Sequence, residues 1–426
     1  MIKNKKALSS RYPQARILLD LAEEALFYLQ PENLIRQHVR LKNNRLIIDK
    51  KVFDLHKIEN IYVLGAGKAT YQMALVIDKI LNKKITAGAI NVPKAYTKKI
   101  GRINVTQASH PFPNEAGVAG AQAILDLANR AGNKDLVICL MSGGGSALMP
   151  LPPYNFSLQE KIELTRKLLK CSANIKEINC VRKHLSQIKG GRLGAAAMPA
   201  TIVSLYISDV IGDDLNAIAS GPTVPDPSTS KQAIKILKKY KISDKKLELI
   251  ILENESPKFL DKKKVFNFIV GNNQQVLDHL ILLAKRKKYK TKFLTATLHG
   301  EAKAVAKRLI ALAEKLNRKT ILIAGGETTV KIIGKGFGGR NQEFVLAASQ
   351  YIGQDLTVLS LATDGVDGLT PKPVAGAILD SKNAPKNANK YLENNDSYTI
   401  LNKIHSLLKT GLTGTNVGDI ILLLKN

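Results

Sequence analysis

Short runs of Val, Ile and Leu recur along the chain, each closing on a turn rich in glycine or aspartate and followed by a stretch of helical periodicity. Ile61 to Leu64 runs into Gly65-Ala66-Gly67-Lys68, Leu136 to Met141 into Ser142-Gly143-Gly144-Gly145-Ser146, and Thr201 to Ile207 into Ser208-Asp209-Val210. The rhythm returns where Thr320 to Ala324 meets Gly325-Gly326-Glu327 and where Leu356 to Ala362 meets Thr363-Asp364-Gly365. Apolar runs of this length between turn signals read as buried strands, and their alternation with helical segments predicts an α/β protein. A linker or domain boundary is expected between Pro222 and Lys264, which opens Pro-Thr-Val-Pro-Asp-Pro and continues as a Lys-rich helical pattern without a motif.

At 426 residues the chain has room for two or three domains of ~150 residues each. Its 45% hydrophobic content is enough to bury a core in each, which excludes disorder as the dominant state. No run approaches the ~18 apolar residues of a bilayer span. Met1 to Arg16 is basic but lacks an apolar core or cleavage site, so a cytoplasmic location is expected. Lys and Arg number 64 against 35 Asp and Glu, a net charge of +29. The lysines come in short dispersed bursts and aromatics make up only 5%, a pattern of solvated surface rather than of a specific nucleic-acid face. A positive field of this kind still favours anionic small molecules.

The candidate chemistry sits in the turns. Gly65-Ala66-Gly67-Lys68 lacks the third small residue of a dinucleotide fingerprint, because Thr70 stands there, and Gly88 to Asn91 holds no acid where a ribose ligand belongs. It also lacks Walker A spacing. What it offers is backbone N–H groups and a lysine at a strand-to-helix turn, suited to a phosphate or carboxylate. Ser142-Gly143-Gly144-Gly145-Ser146 resembles a phosphate cradle. Asp209 with Asp213 and Asp214, and Asp364 with Asp367, supply the carboxylates that Mg2+-dependent phosphoryl transfer uses, although any one of them could be a helix cap. Gly334 to Gly339 delivers Arg340 to the start of a helix, where it could stabilise a transferring phosphoryl group. The segment Asn179 to Arg192 forms a second positive cluster, either a clamp for a substrate carboxylate or a solvated helix face. His110 lies in the proline-locked stretch Ser109-His110-Pro111-Phe112-Pro113.

In their order these turns resemble the glycerate 2-kinase family, the ATP-dependent kinases with an amino-terminal Rossmann-like domain and a carboxy-terminal MOFRL domain. The resemblance rests on Val63 to Ala69, Ala108 to Pro111, Met141 to Leu148, Val181 to Ser186 with Lys189 to Leu193, Ser208 to Asp213, Ala219 to Thr223, Gly325 to Val330, Gly338 to Glu343, Ala362 to Gly368 and Gly414 to Val417. It implies an α/β/α sandwich over 1–245, a smaller α/β domain over 265–426, an active site in the cleft between them, and phosphorylation of D-glycerate at its 2-hydroxyl by ATP with Mg2+. Lys68 and Arg340 match the family's catalytic Lys and Arg, with Asp209 and Asp364 as metal ligand or hydroxyl-orienting base. Gly65, Gly67, Ser142, Gly143, Gly144, Gly145, Ser146, Gly338 and Gly339 are expected at the nucleotide phosphates. His110, Arg182, Lys189 and Arg192 are expected at the substrate, and Asp209, Asp213 and Asp367 at the metal. The expected partners are D-glycerate and ATP, with no specific nucleic acid and no membrane, for a monomer or homodimer. Members of the family have also been labelled hydroxypyruvate reductases, so an NAD(P)H-dependent reductase is the alternative. After Gly368 the chain departs from the family's Pro-Thr-Asp pattern, reading Leu369-Thr370-Pro371-Lys372-Pro373.

Overall fold

The structure, a computed structural model, describes residues 1–95 and 97–426. The chain forms two compact units, Leu34–Val270 and a second made of Met1–Asn33 with Gly271–Asn426.

The first unit is built on a seven-stranded sheet in the order Val265–Gly271, Thr201–Ile207, Leu136–Ser142, Ile61–Ala66, Ala87–Val92, Ile103–Gln107, Lys99–Ile100. From Thr201–Ile207 through to Ile103–Gln107 every neighbouring pair is parallel. Ile61–Ala66 and Leu136–Ser142, in the middle, are buried at every position, which is why their sequence reads as unbroken apolar runs instead of alternating. After Ile61–Ala66 the chain adds Ala87–Val92 and Ile103–Gln107 on one side. It then crosses back and lays Leu136–Ser142 against the other side of Ile61–Ala66. The direction of winding thus reverses between these two strands, the place in an open parallel sheet outside whose carboxyl ends ligands bind.

The stretch expected to be a linker is folded. Helix Ser230–Lys239 starts with a capping box between Thr229 and Gln232, and helix Lys245–Glu253 is capped by Asp244. Ala233, Leu237, Leu247, Ile250 and Ile251 join a core with Leu164, Leu168, Ile178 and Val181. The apolar stripe was hidden by the lysines on the opposite face. The boundaries expected at 1–245 and 265–426 shift for two physical reasons. Val265–Gly271 adds an outer strand to the first sheet. Helix Arg16–Tyr28, which buries Ile17, Leu18, Leu21, Ala22 and Ala25, belongs to the second unit, where Tyr28 stacks on His279 and the Tyr12 hydroxyl meets Ser406 Oγ at 2.5 Å.

The second unit carries a six-stranded sheet ordered Lys290–Leu298, Thr320–Gly326, Asp419–Lys425, Leu356–Ala362, Gly376–Asp380, Leu407–Leu408. Its first pair is parallel and the rest are antiparallel. Helices Ala302–Glu314 and Arg340–Ala348 bury Val305, Leu309, Phe344 and Leu346 in its core.

Candidate active site

The turns that leave Ile61–Ala66 and Leu136–Ser142 hold each other. The Lys68 amide donates to the Gly143 carbonyl at 2.9 Å, and the Ala69 amide to Ser142 Oγ at 3.0 Å. Gly144 sits in the left-handed region at φ 80°, and a Cβ there would lie 2.9 Å from the His110 ring and 3.3 Å from Lys68 Cγ. Only glycine lets these two side chains approach so closely. Asp209 reaches the same loop from the next strand, its carboxylate filling the space beside Gly143. The structure therefore brings together Lys68, His110, the triglycine turn and Asp209. Burial, and then the neighbouring Lys68, lower the His110 pKa, which keeps the ring neutral near pH 7.

Beside this turn lies a cavity of about 390 Å3 lined by Gly144 and Ser146, by His110 and Phe112, and by Lys161, Arg166, Arg182 and Lys189. None of its lining residues is acidic. Lys189 donates to the Met149 carbonyl and Lys161 to the Leu185 carbonyl. Burial, then Arg182, brings the Lys189 pKa down to about 7, and burial together with Lys189 and the nearby arginines pushes that of Lys161 well below its usual range. Burial also lowers that of Arg182, whose guanidinium has no hydrogen-bond or ion-pair partner among the described residues. Buried cations that repel one another without a carboxylate to offset them are costly, and a bound anion removes that cost.

Of the expected acid-binding residues, His110, Arg182 and Lys189 meet in this cavity and Arg192 does not. Arg192 donates to the carbonyls of Lys183, Lys189 and Asn254, so it fixes the chain that carries the others. Lys161 and Arg166 were missed from the sequence. The signal was present for Lys161, which falls in step with the buried Leu158, Leu164 and Leu168 on its helix, a lysine inside an apolar stripe.

In the second unit Arg340 is already engaged. It forms a two-pronged pair with Asp419, Nε to Oδ2 at 2.6 Å and one terminal nitrogen to Oδ1 at 2.9 Å, and its other terminal nitrogen lies 2.7 Å from Glu327 Oε1. Burial opposes its charge, but Asp419, Glu327 and Asp367 together hold the Arg340 pKa above its ordinary value. Asp367 caps the helix Arg340–Ala348. Its oxygens accept from the Asn341 amide at 3.0 Å and the Gln342 amide at 2.8 Å, and from both their side chains. Asp364 Oδ1 accepts from the Val366 amide within its own turn. Gly338 and Gly339 do not present a phosphate cradle. The Gly338 amide is bonded to the Leu369 carbonyl at 3.0 Å, and Asp367 occupies the space beside Gly339. The glycines there serve close packing under an acidic residue, the wrong charge for a phosphate.

No group of three or more His, Cys, Asp or Glu among the described residues is arranged to hold a metal ion. Asp367, expected at the metal, turns its oxygens to a helix end. No helix among the described residues is long and apolar enough to cross a membrane.

Residues 17–251 match the family model described as a domain of unknown function, DUF4147, and residues 320–419 match the MOFRL family. The chain is 38% identical over 381 residues to the D-glycerate 2-kinase of Thermotoga maritima, an alignment covering 86% of this chain and 90% of that one. It is 38% identical over 428 residues to the glycerate 2-kinase of Pyrococcus horikoshii, covering 95% and 96%. A crystal structure of glycerate kinase from Thermotoga maritima superposes with a TM-score of 0.88 at 35% identity, over 97% of this chain and 100% of that one.

Proposed function

The chain belongs to the glycerate kinase family that joins a DUF4147 region to a MOFRL region, and on that premise we propose that it transfers the γ-phosphoryl group of ATP to the 2-hydroxyl of D-glycerate. The observation that carries the reading is the pairing of a glycine turn, held by Lys68 and His110, with a cavity whose charged lining residues are all basic.

In this reading the amides of Gly144, Gly145 and Ser146, which have no acceptor among the described residues, take phosphate oxygens, and Lys68 offsets the charge that develops as the phosphoryl group moves. Arg182 and Lys189 receive the carboxylate of the acid, turning mutual repulsion into charge-assisted hydrogen bonds. Neutral His110 stands by the same glycine and can accept from or donate to the substrate hydroxyl. Mg2+ is commonly held by one or two carboxylates with phosphate oxygens completing its shell, and Asp209 against Gly143 fits that mode. Bound there, the ion would supply charge neutralisation between phosphates. Arg340 is assigned to the transferring phosphoryl group, with Asp419 fixing its plane and Glu327, its more exposed partner, giving way. Asp364 is the second choice for orienting the hydroxyl.

A reductase has less behind it. Asn91, near the position where a ribose-binding acid belongs, is buried and donates to the carbonyls of Gly117 and Leu148 at 2.9 and 2.8 Å. The test is ADP release from ATP, Mg2+ and D-glycerate, with product analysis separating 2- from 3-phosphoglycerate. Oxidation of NAD(P)H by hydroxypyruvate with no ADP formed would replace the kinase by the reductase.

A further inference from the structure

The cavity beside the triglycine turn holds more positive charge and more space than a three-carbon acid uses. Four basic residues line it, and its 390 Å3 has room for about a dozen waters at ~30 Å3 each. A three-carbon acid displaces only a few of them.

The four cations fall into two sets. Lys161 and Lys189 are buried and Arg182 is half-buried, and among the described residues the only groups that Lys161 and Lys189 bond are carbonyls. Arg166 is exposed and projects from helix Leu158–Lys170 over the Phe112 ring, its guanidinium carbon 5.3 Å from the ring centre. That contact spans the cavity, since Phe112 comes from the loop that carries His110 and both residues line the same space. A guanidinium resting on an aromatic face keeps its in-plane N–H groups free for a carboxylate or phosphate.

We propose that this cavity binds small acids carrying two anionic groups, a carboxylate and a phosphate, with Arg182 and the two buried lysines taking one group and Arg166 the other. The ligand class is a phosphorylated short-chain hydroxy acid, with the reaction product as its simplest member. The proposal rests on the reading above that the cavity takes the acid. One consequence is that product competes with D-glycerate for the site and leaves more slowly than substrate does.

The experiment is calorimetric titration of the full chain with 2-phosphoglycerate, D-glycerate and inorganic phosphate separately. It uses the unaltered protein, Arg166→Met, and Lys167→Met, which removes an exposed charge from the same helix outside the cavity. Expected is 2-phosphoglycerate binding on the order of tenfold tighter than either other ligand, with Arg166→Met removing most of that gap and Lys167→Met leaving it. Phosphate binding as tightly as phosphoglycerate, equal affinities for the two acids, or an equal effect of the two substitutions would each overturn the proposal. If the gap and its dependence on Arg166 hold while ATP and D-glycerate give no ADP, the kinase reading falls and the site stands. Turnover without the gap has the opposite meaning.

Discussion

Replacing Lys189 by methionine measures what the protein gives up to keep a cation in its cavity. The side chain is fully buried, and burial followed by Arg182 lowers its pKa to about 7. In the unfolded chain the value is about 10.4. The native state therefore holds this proton less tightly than the unfolded chain does, so its stability rises with pH between about 7 and 10, and the penalty is fully present below about 7. At about 1.36 kcal/mol per pKa unit the cost is about 5 kcal/mol at pH 6 and about 2 kcal/mol at pH 9. Methionine keeps the length and flexibility of the stem, and the Met149 carbonyl loses a donor at a cost of about 1 kcal/mol. Lys189→Met is thus expected to be more stable than the parent by about 3–4 kcal/mol at pH 6 and by about 1 kcal/mol at pH 9. Urea unfolding at the two pH values is the assay. The same variant should raise the KM for D-glycerate on the order of tenfold, a gain in stability bought with function. A variant no more stable than the parent at pH 6, or one whose gain is the same at both pH values, would refute the argument.

Lys68→Ala should lower kcat by about 10²–10³-fold while shifting Tm by no more than about 2 °C, as read from ADP release and a thermal melt; full turnover would remove Lys68 from the chemistry. Gly144→Ala places a methyl group against the His110 ring at a positive φ, and should cost about 1–3 kcal/mol in urea unfolding and lower kcat/KM. Arg340→Ala leaves Asp419 buried and unpaired, so a loss of about 3–5 kcal/mol is expected, largely restored in Arg340→Ala with Asp419→Asn. If the single variant is as stable as the parent, the ion pair has been misjudged.

The first sheet was legible because its central strands are covered on both faces and so write themselves as unbroken apolar runs. The triglycine turn was legible because close approach by Lys68, His110 and Asp209 leaves no room for a Cβ. The basic cluster from Asn179 to Arg192 was visible, but spacing could not separate Arg182, which points into a cavity, from Arg192, which bonds carbonyls. Lys161 went unread although it stands in the apolar stripe of its helix, because its facing a cavity depends on what that helix packs against. The carboxylates showed the same limit. Asp364 and Asp367 looked alike in sequence, yet Asp367 caps a helix 26 residues upstream in sequence, through Asn341. Asp419 drew no notice as the first residue of an apolar strand, although it anchors Arg340.

The interrupted second unit constrains the order in which this chain can fold as it leaves the ribosome. Residues 34–270 are contiguous and can complete their sheet while the remainder is still being made. Residues 1–33 emerge before that unit yet must wait, because Tyr12 and Tyr28 find the partners Ser406 and His279 only after residue 271. The wait lasts until residue 425 has been made, since Asp419–Lys425 is an interior strand of the second sheet, between Thr320–Gly326 and Leu356–Ala362. Helix Arg16–Tyr28, with its apolar stripe uncovered for that interval, is the segment most in need of a chaperone's shelter.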